Sequence, residues 1–297
     1  MTAQILASRH EVERLYGEIS AEAGALRAEG TKPSLATILV GGSGPSMAYA
    51  RAKEKACGKL GIDFRLREYG ETESDAEIVS GIKKLNQDSS VHGIMLELPL
   101  PKQIDPFKVA SSISHLKDVD GITPMNRGLL FMGKLDLALL PVTPLSCMTL
   151  IDGTGVDVKG KEVAIVGRGE TVGLPLAVLL IKRSATVTIC HSKTKGLREV
   201  VRKSDIVVTA TGQPGLITTD MLSPGQMVID AGVSVLPDGR LAGDVDPRAS
   251  EVVGWLSPVP GGVGSLTVAL LLKNLLKAIR IGKENGQDLT IAHNNKP

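Results

Sequence analysis

The sequence lacks the features that mark several classes of protein. It has no run of basic residues and no ladder of aromatic side chains, and its formal net charge is only +2. Since nucleic-acid binders concentrate positive charge on one face, we expect no nucleic-acid partner. No apolar run approaches the roughly eighteen residues of a membrane-spanning helix. The N-terminus also lacks the apolar core of a signal peptide, so we expect a cytoplasmic protein with no membrane partner.

Cysteine is scarce as well. The three cysteines, Cys57, Cys147 and Cys190, stand far apart, and no Cys or His pair has the spacing of a zinc site. We therefore expect neither a disulfide framework nor a bound metal. The 297 residues are 42% apolar and 22% charged, which is typical of a globular chain long enough for two domains.

The most informative stretch is KEVAIVGRGETVGLP, at 161–175. An apolar run at 163–166 predicts a buried strand, and 174–181 predicts a helix. The turn between them holds Gly167, Gly169 and Gly173. Such glycines let the chain turn tightly and let a phosphate approach the helix N-terminus, so the stretch is typical of a dinucleotide-binding turn. The Gly-x-Gly-x-x-x-Gly spacing is one residue longer than usual, and an ordinary α/β turn remains the alternative.

The residues after the next strand indicate which nucleotide binds. That strand is predicted at 185–189, and an enzyme specific for NAD would carry Asp or Glu at its end. This chain has CHSKT at 190–194 instead, and Arg168 stands inside the glycine turn. An arginine with a serine and a lysine, and no acid, suits the 2′-phosphate of NADP.

Strands and helices alternate along both halves of the chain, which predicts an α/β fold with parallel sheets. Ser74 and Glu77 form a predicted capping box, and the pattern loosens between 99 and 144. The predicted helices are 8–30, 46–60, 74–86, 144–153, 174–181 and 266–281, and the predicted strands are 34–40, 63–69, 91–97, 163–166, 185–189, 205–209 and 226–230.

Four residues are candidates for chemistry. Tyr49 and Lys53 are four residues apart, so on a helix they share one face close to the loop that follows a strand. Glu97 ends a predicted strand at the same sheet edge and could face Lys53. Asp120 precedes a glycine in a loop. The alternative is a surface lysine beside a half-buried tyrosine, with Asp120 as a turn former.

The order of these motifs resembles one family over nearly the whole chain. The sequence is similar to the methylenetetrahydrofolate dehydrogenase/methenyltetrahydrofolate cyclohydrolase family, whereas short-chain dehydrogenases place the glycine motif before the Tyr/Lys pair. The matching segments are GPS at 44–46 with Tyr49 and Lys53, GIMLELPLP at 93–101, KDVDG at 117–121, VGRGETVG at 166–173, CHSKT at 190–194 and PVPGGVG at 258–264.

The resemblance implies a two-domain architecture with a cleft between the domains. A βαβ-rich folate-binding catalytic domain would comprise 1–142 and 266–297, with the last helix packing back on it. A Rossmann-type NADP domain would comprise 143–265. The implied activity is oxidation of 5,10-methylenetetrahydrofolate with NADP, followed by hydrolysis of the methenyl product to 10-formyltetrahydrofolate, in a cytosolic homodimer.

The resemblance also assigns roles to residues. Lys53 is implied as the catalytic lysine, with Tyr49, Glu97 and Asp120 as its catalytic neighbours. The implied folate-binding residues are Tyr49, Leu98, Asp120, Val259, Pro260, Gly261 and Gly262. The implied NADP-binding residues are Gly167, Arg168, Gly169, Val172, Ser192, Thr211, Gly212 and Val233, of which Arg168 and Ser192 take the 2′-phosphate and the last three lie on the nicotinamide side.

The chain departs from the family at Glu97, where the family has Gln, and at 122–124, 145–146 and Ser265. An ionised Glu97 beside Lys53 would keep the lysine protonated and weaken it as a base for hydrolysis. Alternatives are therefore a dehydrogenase without cyclohydrolase activity, another two-domain NADP oxidoreductase resembling shikimate dehydrogenase, and a catalytically silent folate- or nucleotide-binding protein.

Overall fold

The structure, a computed structural model, describes residues 2–42 and 44–284. Contacts divide the chain into two compact units. We call them the six-stranded unit, residues 1–14 with 141–270, and the three-stranded unit, residues 15–140 with 271–297, each within the described residues. The predicted domain ranges remain a prediction. The two units differ from those ranges chiefly in residues 1–14, which belong to the six-stranded unit. Residues 285–297 of the predicted 266–297 range lie outside the described residues.

The described residues form strands and helices in the alternating order of an α/β fold. Up to residue 132 they are β1 (Gln4–Ile5), α1 (Arg9–Ala28), β2 (Ser34–Val40), α2 (Gly44–Leu60), β3 (Asp63–Tyr69), α3 (Asp75–Gln87), β4 (Gly93–Leu96), α4 (Pro106–Ser111) and α5 (Pro124–Met132). Then follow α6 (Val142–Gly153), β5 (Glu162–Val166), α7 (Gly173–Lys182), β6 (Thr186–Cys190), α8 (Leu197–Lys203), β7 (Ile206–Thr209), β8 (Met227–Asp230), β9 (Ser234–Val235), β10 (Leu241–Ala242), β11 (Trp255–Leu256) and α9 (Val263–Glu284).

The three-stranded unit has the parallel strand order β3-β2-β4. The central strand β2 is buried along its whole length, which explains its nearly continuous apolar sequence SLATILV. Helix α3 packs Ile78 and Ile82 into the same core as Ile38 and Ile94. The predicted capping box at its start is confirmed, with Ser74 and the N3 glutamate each accepting from the other's backbone N–H.

The six-stranded unit has the order β1-β11-β8-β7-β5-β6, and every adjacent pair is parallel. Strand β5 lies between β6 and β7, so the chain leaves β5 toward one side and returns on the other. This reversal is the topological switch point of an open α/β sheet, where ligands bind at the carboxyl ends of the strands. The short strands β9 and β10 form a separate antiparallel hairpin.

The last helix is anchored to the three-stranded unit by polar contacts. Asn274 donates to the carbonyls of Val119 and Leu140, and the Lys277 ammonium donates to two carbonyls within 135–138.

In the part of the chain that the structure describes, no helix is long and apolar enough to cross a membrane.

The differences from the predicted elements have local causes. The region 99–144 contains two helices that apolar periodicity did not reveal, because α4 is short and α5 has two exposed apolar residues in its last turn. Both begin with a side-chain N-cap, Asp105 and Thr123, followed at once by proline, and this signal was present in the sequence. The helix α8 and the two-residue strands β1, β9, β10 and β11 were also not predicted.

Candidate active site

A buried ion pair lies at the carboxyl edge of the three-stranded sheet. Lys53 is on α2, and Glu97 directly follows β4. Lys53 Nζ is 2.6 Å from Glu97 Oε1, and the two residues are only 6% and 7% exposed. The N–H of Glu97 donates to the carbonyl of Ile38, which holds the glutamate at the strand end. The structure thus brings together two predicted catalytic residues at the edge where α/β sheets bind ligands.

Tyr49 lies one helical turn before this ion pair. Its ring centroid is 6.0 Å from Lys53 Nζ, so the predicted shared face of the helix is confirmed. Tyr49 is 53% exposed, which leaves much of its side chain available to an aromatic ligand by stacking.

Asp120 lies on a segment that runs beside β4. The carbonyl of Lys117 accepts from the N–H of Ile94, and Asp118 pairs with Ile94 in a parallel bridge. The parallel direction carries the half-buried Asp120 toward the end of β4, where Glu97 stands.

Two neighbours of Asp120 hold this segment in place, and the sequence analysis gave them no role. The Lys117 ammonium donates to the carbonyls of residues 85, 86 and 88 at the end of α3. Burial lowers the pKa of Lys117 to about 8. Asp118 is fully buried and accepts from the N–H groups of Ile122 and Thr123 and from the Asn126 amide, which fixes the start of α5. The KDVDG motif contained both residues, but not their partners.

The other residues predicted to bind folate lie in two loops. Leu98 follows Glu97 in the three-stranded unit and is 40% exposed. In the six-stranded unit, Val259, Pro260, Gly261 and Gly262 form a tight turn. Gly261 has a φ of +103°, and its carbonyl accepts from both the N–H and the hydroxyl of Ser8. A Cβ at Gly262 would lie 2.6 Å from the carbonyl oxygen of residue 258, so this position requires glycine.

The glycine turn of the six-stranded unit is as tight as the sequence indicated. Gly167 follows β5 with a φ of +124°, and a Cβ there would overlap the carbonyl of Ala210 after β7. A Cβ at Gly173 would overlap the carbonyl of Gly167. The turn therefore needs both glycines, and it lies at the switch point between β5 and β7. Gly169 is exposed within it, and Val172 is the N-cap residue of α7 with no side-chain cap.

Polar side chains at the two strand ends remain available beside this turn. Val166 pairs with Cys190 at the ends of β5 and β6, so Arg168 and Ser192 each follow by two residues. Both side chains are exposed, and among the described residues neither forms a hydrogen bond or ion pair. A guanidinium and a hydroxyl placed in this way suit a phosphate group.

The segments predicted on the nicotinamide side are held by a buried aspartate. Asp244 accepts from the N–H of Thr211 at 2.6 Å and from the N–H of Gln213 at 2.9 Å. Gly212, between them, has a φ of +67°, and its carbonyl accepts from the Ser234 hydroxyl next to the half-exposed Val233. The structure thus joins Thr211, Gly212 and the neighbourhood of Val233, which the sequence analysis connected only by resemblance.

A second buried aspartate lies beneath the same segments. Asp230, at the end of β8, accepts from the Thr209 hydroxyl and from the N–H groups of Gly232, Asp244 and Val245. Burial raises the pKa of Asp230, and these hydrogen bonds oppose the rise. Sequence reasoning missed both aspartates, because most of their partners are backbone groups of distant segments.

These features fit the dinucleotide NADP. The turn between β5 and α7 has no room for a Cβ at two positions, the start of α7 lacks a side-chain cap, and Arg168 and Ser192 are available. Within residues 2–42 and 44–284, no group of three His, Cys, Asp or Glu side chains could hold a metal ion.

Comparisons with known proteins agree with this geometry. Residues 6–120 match the profile described as "Tetrahydrofolate dehydrogenase/cyclohydrolase, catalytic domain", and residues 141–283 match its "NAD(P)-binding domain". The chain is similar to the "Bifunctional protein FolD" of Heliobacterium modesticaldum, with 49% identity over 282 residues that cover 95% of this chain and 98% of the relative.

Solved structures of similar proteins share the fold. The bifunctional enzyme FolD of Campylobacter jejuni superposes with a TM-score of 0.91 at 37% identity, covering 94% of this chain and 99% of that one. The Trypanosoma brucei enzyme, solved with NADP and an inhibitor, has a TM-score of 0.89 at 36% identity, covering 94% and 98%. This chain therefore belongs to the tetrahydrofolate dehydrogenase/cyclohydrolase family.

Proposed function

We propose that this protein oxidises 5,10-methylenetetrahydrofolate to 5,10-methenyltetrahydrofolate with NADP and then hydrolyses the product to 10-formyltetrahydrofolate. The observation that carries the proposal is the buried pair of Lys53 and Glu97 at the sheet edge, with Tyr49 one turn away. Family membership makes a shikimate dehydrogenase-like enzyme or a silent binding protein the weaker interpretation.

Substrate positioning falls to residues around the ion pair. Tyr49 offers an exposed ring for the aminobenzoyl group, and Asp120 offers a carboxylate to the pterin ring. Leu98 and the turn 259–262 complete the proposed folate-binding set. The proposed role of these residues in the first step is to orient the substrate, and that role requires no proton exchange.

Oxidation requires charge stabilisation rather than a base. Bound NADP supplies the hydride acceptor. Loss of a hydride from the methylene carbon leaves a cation shared by two folate nitrogens and releases no proton. The Glu97 carboxylate near that carbon would favour the developing positive charge, but its pairing with the Lys53 ammonium leaves it only part of that effect.

Hydrolysis differs because the attacking water must lose a proton. Water adds to the methenyl carbon, one carbon–nitrogen bond breaks, and one proton is released as the 10-formyl product forms. Lys53 is the residue placed to receive or relay that proton. The Glu97 carboxylate already occupies Lys53 Nζ at 2.6 Å, so hydrolysis should be slower here than with a neutral amide at residue 97.

The cofactor is NADP. Arg168 and Ser192 are proposed to bind the 2′-phosphate, the turn containing Gly167, Gly169 and Val172 to bind the pyrophosphate, and Thr211, Gly212 and Val233 to flank the nicotinamide. By analogy with the family, we further propose a cytoplasmic homodimer with no nucleic-acid or membrane partner.

An absorbance assay tests the whole proposal. The purified protein with methylenetetrahydrofolate should form NADPH and methenyltetrahydrofolate, and NAD in place of NADP should react more slowly. Shikimate should give no signal. A protein that is inert toward reduced folates, or one that reduces NADP with shikimate, would contradict the assignment.

Arg168→Ala tests the cofactor assignment. The variant should lose a charge-assisted contact to the 2′-phosphate, about 1.5–3 kcal/mol of NADP binding energy, which raises the KM for NADP roughly tenfold to a hundredfold. The KM for NAD should hardly change. Lys182→Ala, at the opposite end of α7, removes a cation without touching the turn and serves as the control. Equal losses for both cofactors would show that Arg168 does not contact the phosphate.

A further inference from the structure

Two buried aspartates contact both backbone segments that flank the proposed nicotinamide position. We propose that Asp230 and Asp244 make this part of the protein selective for the oxidised, positively charged nicotinamide over the reduced, neutral one. The inference rests on the proposed function, because it requires NADP to bind with its ring beside Thr211, Gly212 and Val233.

Asp244 holds the segment after β7 by hydrogen bonds. Its two carboxylate oxygens accept separate N–H groups, those of Thr211 and Gln213, at 2.6 and 2.9 Å. Asp244 is fully buried, and a Cβ at Gly232 would overlap its carboxylate. The carboxylate therefore lies between the segment after β7, which contains Thr211, and the segment after β8, which contains Gly232.

Asp230 holds the segment after β8 by hydrogen bonds. One of its oxygens accepts from the N–H groups of Gly232 and Asp244, at 2.9 and 3.1 Å, and the other accepts from Val245. A Cβ at Gly243 would overlap this carboxylate. Because the backbone of Asp244 itself donates to Asp230, the two acids belong to one hydrogen-bonded unit.

Among the residues that the structure describes, no cation neutralises the negative charge of this unit. In the described part of the chain, neither carboxylate takes part in an ion pair, and every donor to them is a backbone N–H or the Thr209 hydroxyl. Acceptance of so many N–H groups is the behaviour of ionised carboxylates. Two anions that are screened little by solvent therefore lie behind the segments proposed to flank the ring.

The nicotinamide ring changes charge in the reaction. It is cationic before it accepts a hydride and neutral afterwards, so a fixed negative charge nearby lowers the energy of the oxidised form only. The pair should therefore strengthen binding of NADP+ relative to NADPH. It should also help to release the reduced cofactor after turnover.

The test compares the affinity for the two cofactor forms. Dissociation constants for NADPH, from its fluorescence, and for NADP+, from competition, should be measured for the wild type, Asp244→Asn and Asp230→Asn. Each substitution should lower the preference for NADP+ by at least about fivefold, which is the effect of one charge roughly 17 Å from the ring at an effective dielectric constant of about 20. If the two aspartates had a purely structural role, each substitution would weaken the binding of NADP+ and of NADPH equally, and the ratio of the two dissociation constants would not change.

Two controls isolate the charge effect. Ser234→Ala removes the hydroxyl that donates to Gly212 but keeps both carboxylates, so any loss should fall equally on both forms. Asp238→Asn removes one exposed carboxylate of the β9–β10 hairpin and should change neither constant. An unchanged ratio in both Asp→Asn variants would overturn the inference.

The wild type gives an independent test if the variants do not fold. Its affinity for NADP+ should be at least as high as its affinity for NADPH, and tighter binding of NADPH would contradict the inference. A wild type that binds neither form would instead contradict the proposed function, so the two failures can be distinguished.

Discussion

The two units bury carboxylates in different ways. In the three-stranded unit Glu97 is paired with the ammonium of Lys53 at 2.6 Å. In the six-stranded unit Asp230 and Asp244 are held by backbone N–H groups and one hydroxyl. The first arrangement cancels charge locally, whereas the second leaves two negative charges in place.

The difference suits the two proposed chemical tasks. A proton that has to move during hydrolysis needs a titratable side chain that can give and take it, and Lys53 is the side chain proposed for that role. A cofactor ring that changes charge needs a fixed field that does not titrate with it. The carboxylates of Asp230 and Asp244 supply that field, and backbone N–H groups hold them in place without exchanging protons with them.

Removal of the cation in the three-stranded unit should have the largest effect. Lys53→Met leaves Glu97 buried without its charged partner, and we expect a loss of about 3–5 kcal/mol in the free energy of unfolding. Hydrolysis of methenyltetrahydrofolate should fall at least a hundredfold, since the proton-transfer group is gone. Urea unfolding and the decay of methenyl absorbance measure the two effects.

The double variant Lys53→Met with Glu97→Leu separates stability from catalysis. Replacing the whole pair by apolar residues should restore most of the lost stability without restoring hydrolysis. Recovery of hydrolysis in the double variant, or a single variant as stable as the wild type, would show that the pair does not work as described.

Glu97→Gln should have an intermediate effect, on the balance between the two reactions. The amide removes the negative charge that holds Lys53 Nζ at 2.6 Å, so hydrolysis should rise by up to about tenfold relative to oxidation. Parallel assays of NADPH formation and methenyl decay give the ratio. Glu54→Gln, an exposed acid next to Lys53 on α2 and paired with Arg51, should leave the ratio unchanged. Full wild-type hydrolysis that Gln does not alter would refute the role of Glu97.

The sequence predicted the parts of the molecule that depend on local patterns. The apolar run of β2 and the Ser74–Glu77 capping box occupy the positions expected from periodicity and capping rules. The pairing of Lys53 with Glu97 was also foreseeable, because both residues belong to the carboxyl ends of neighbouring βα units.

The contacts that hold the site together could not be predicted in the same way. Lys117 binds carbonyls at the end of α3, and Asp244 binds N–H groups of 211 and 213, some thirty residues away in each case. Backbone acceptors are the same in every residue type, and backbone donors in every type except proline, so no sequence pattern marks them as partners. For Asp244, the close approach of the segment that contains Gly232 leaves space for the carboxylate that makes these contacts.

The smallest effect is expected from removing a single hydroxyl, and the chain offers a matched pair for this test. Thr209 donates its hydroxyl to Asp230 at 3.0 Å, whereas the equally buried hydroxyl of Thr37 in β2 has no partner among the described residues. Thr209→Val should cost about 1.5–3 kcal/mol of unfolding free energy, because a buried carboxylate loses a donor. Thr37→Val should be neutral or stabilising, because it removes an unsatisfied polar atom from a core. Equal effects in urea unfolding would mean that the hydroxyl contributes nothing to holding the charge of Asp230, and that the backbone N–H groups alone are sufficient.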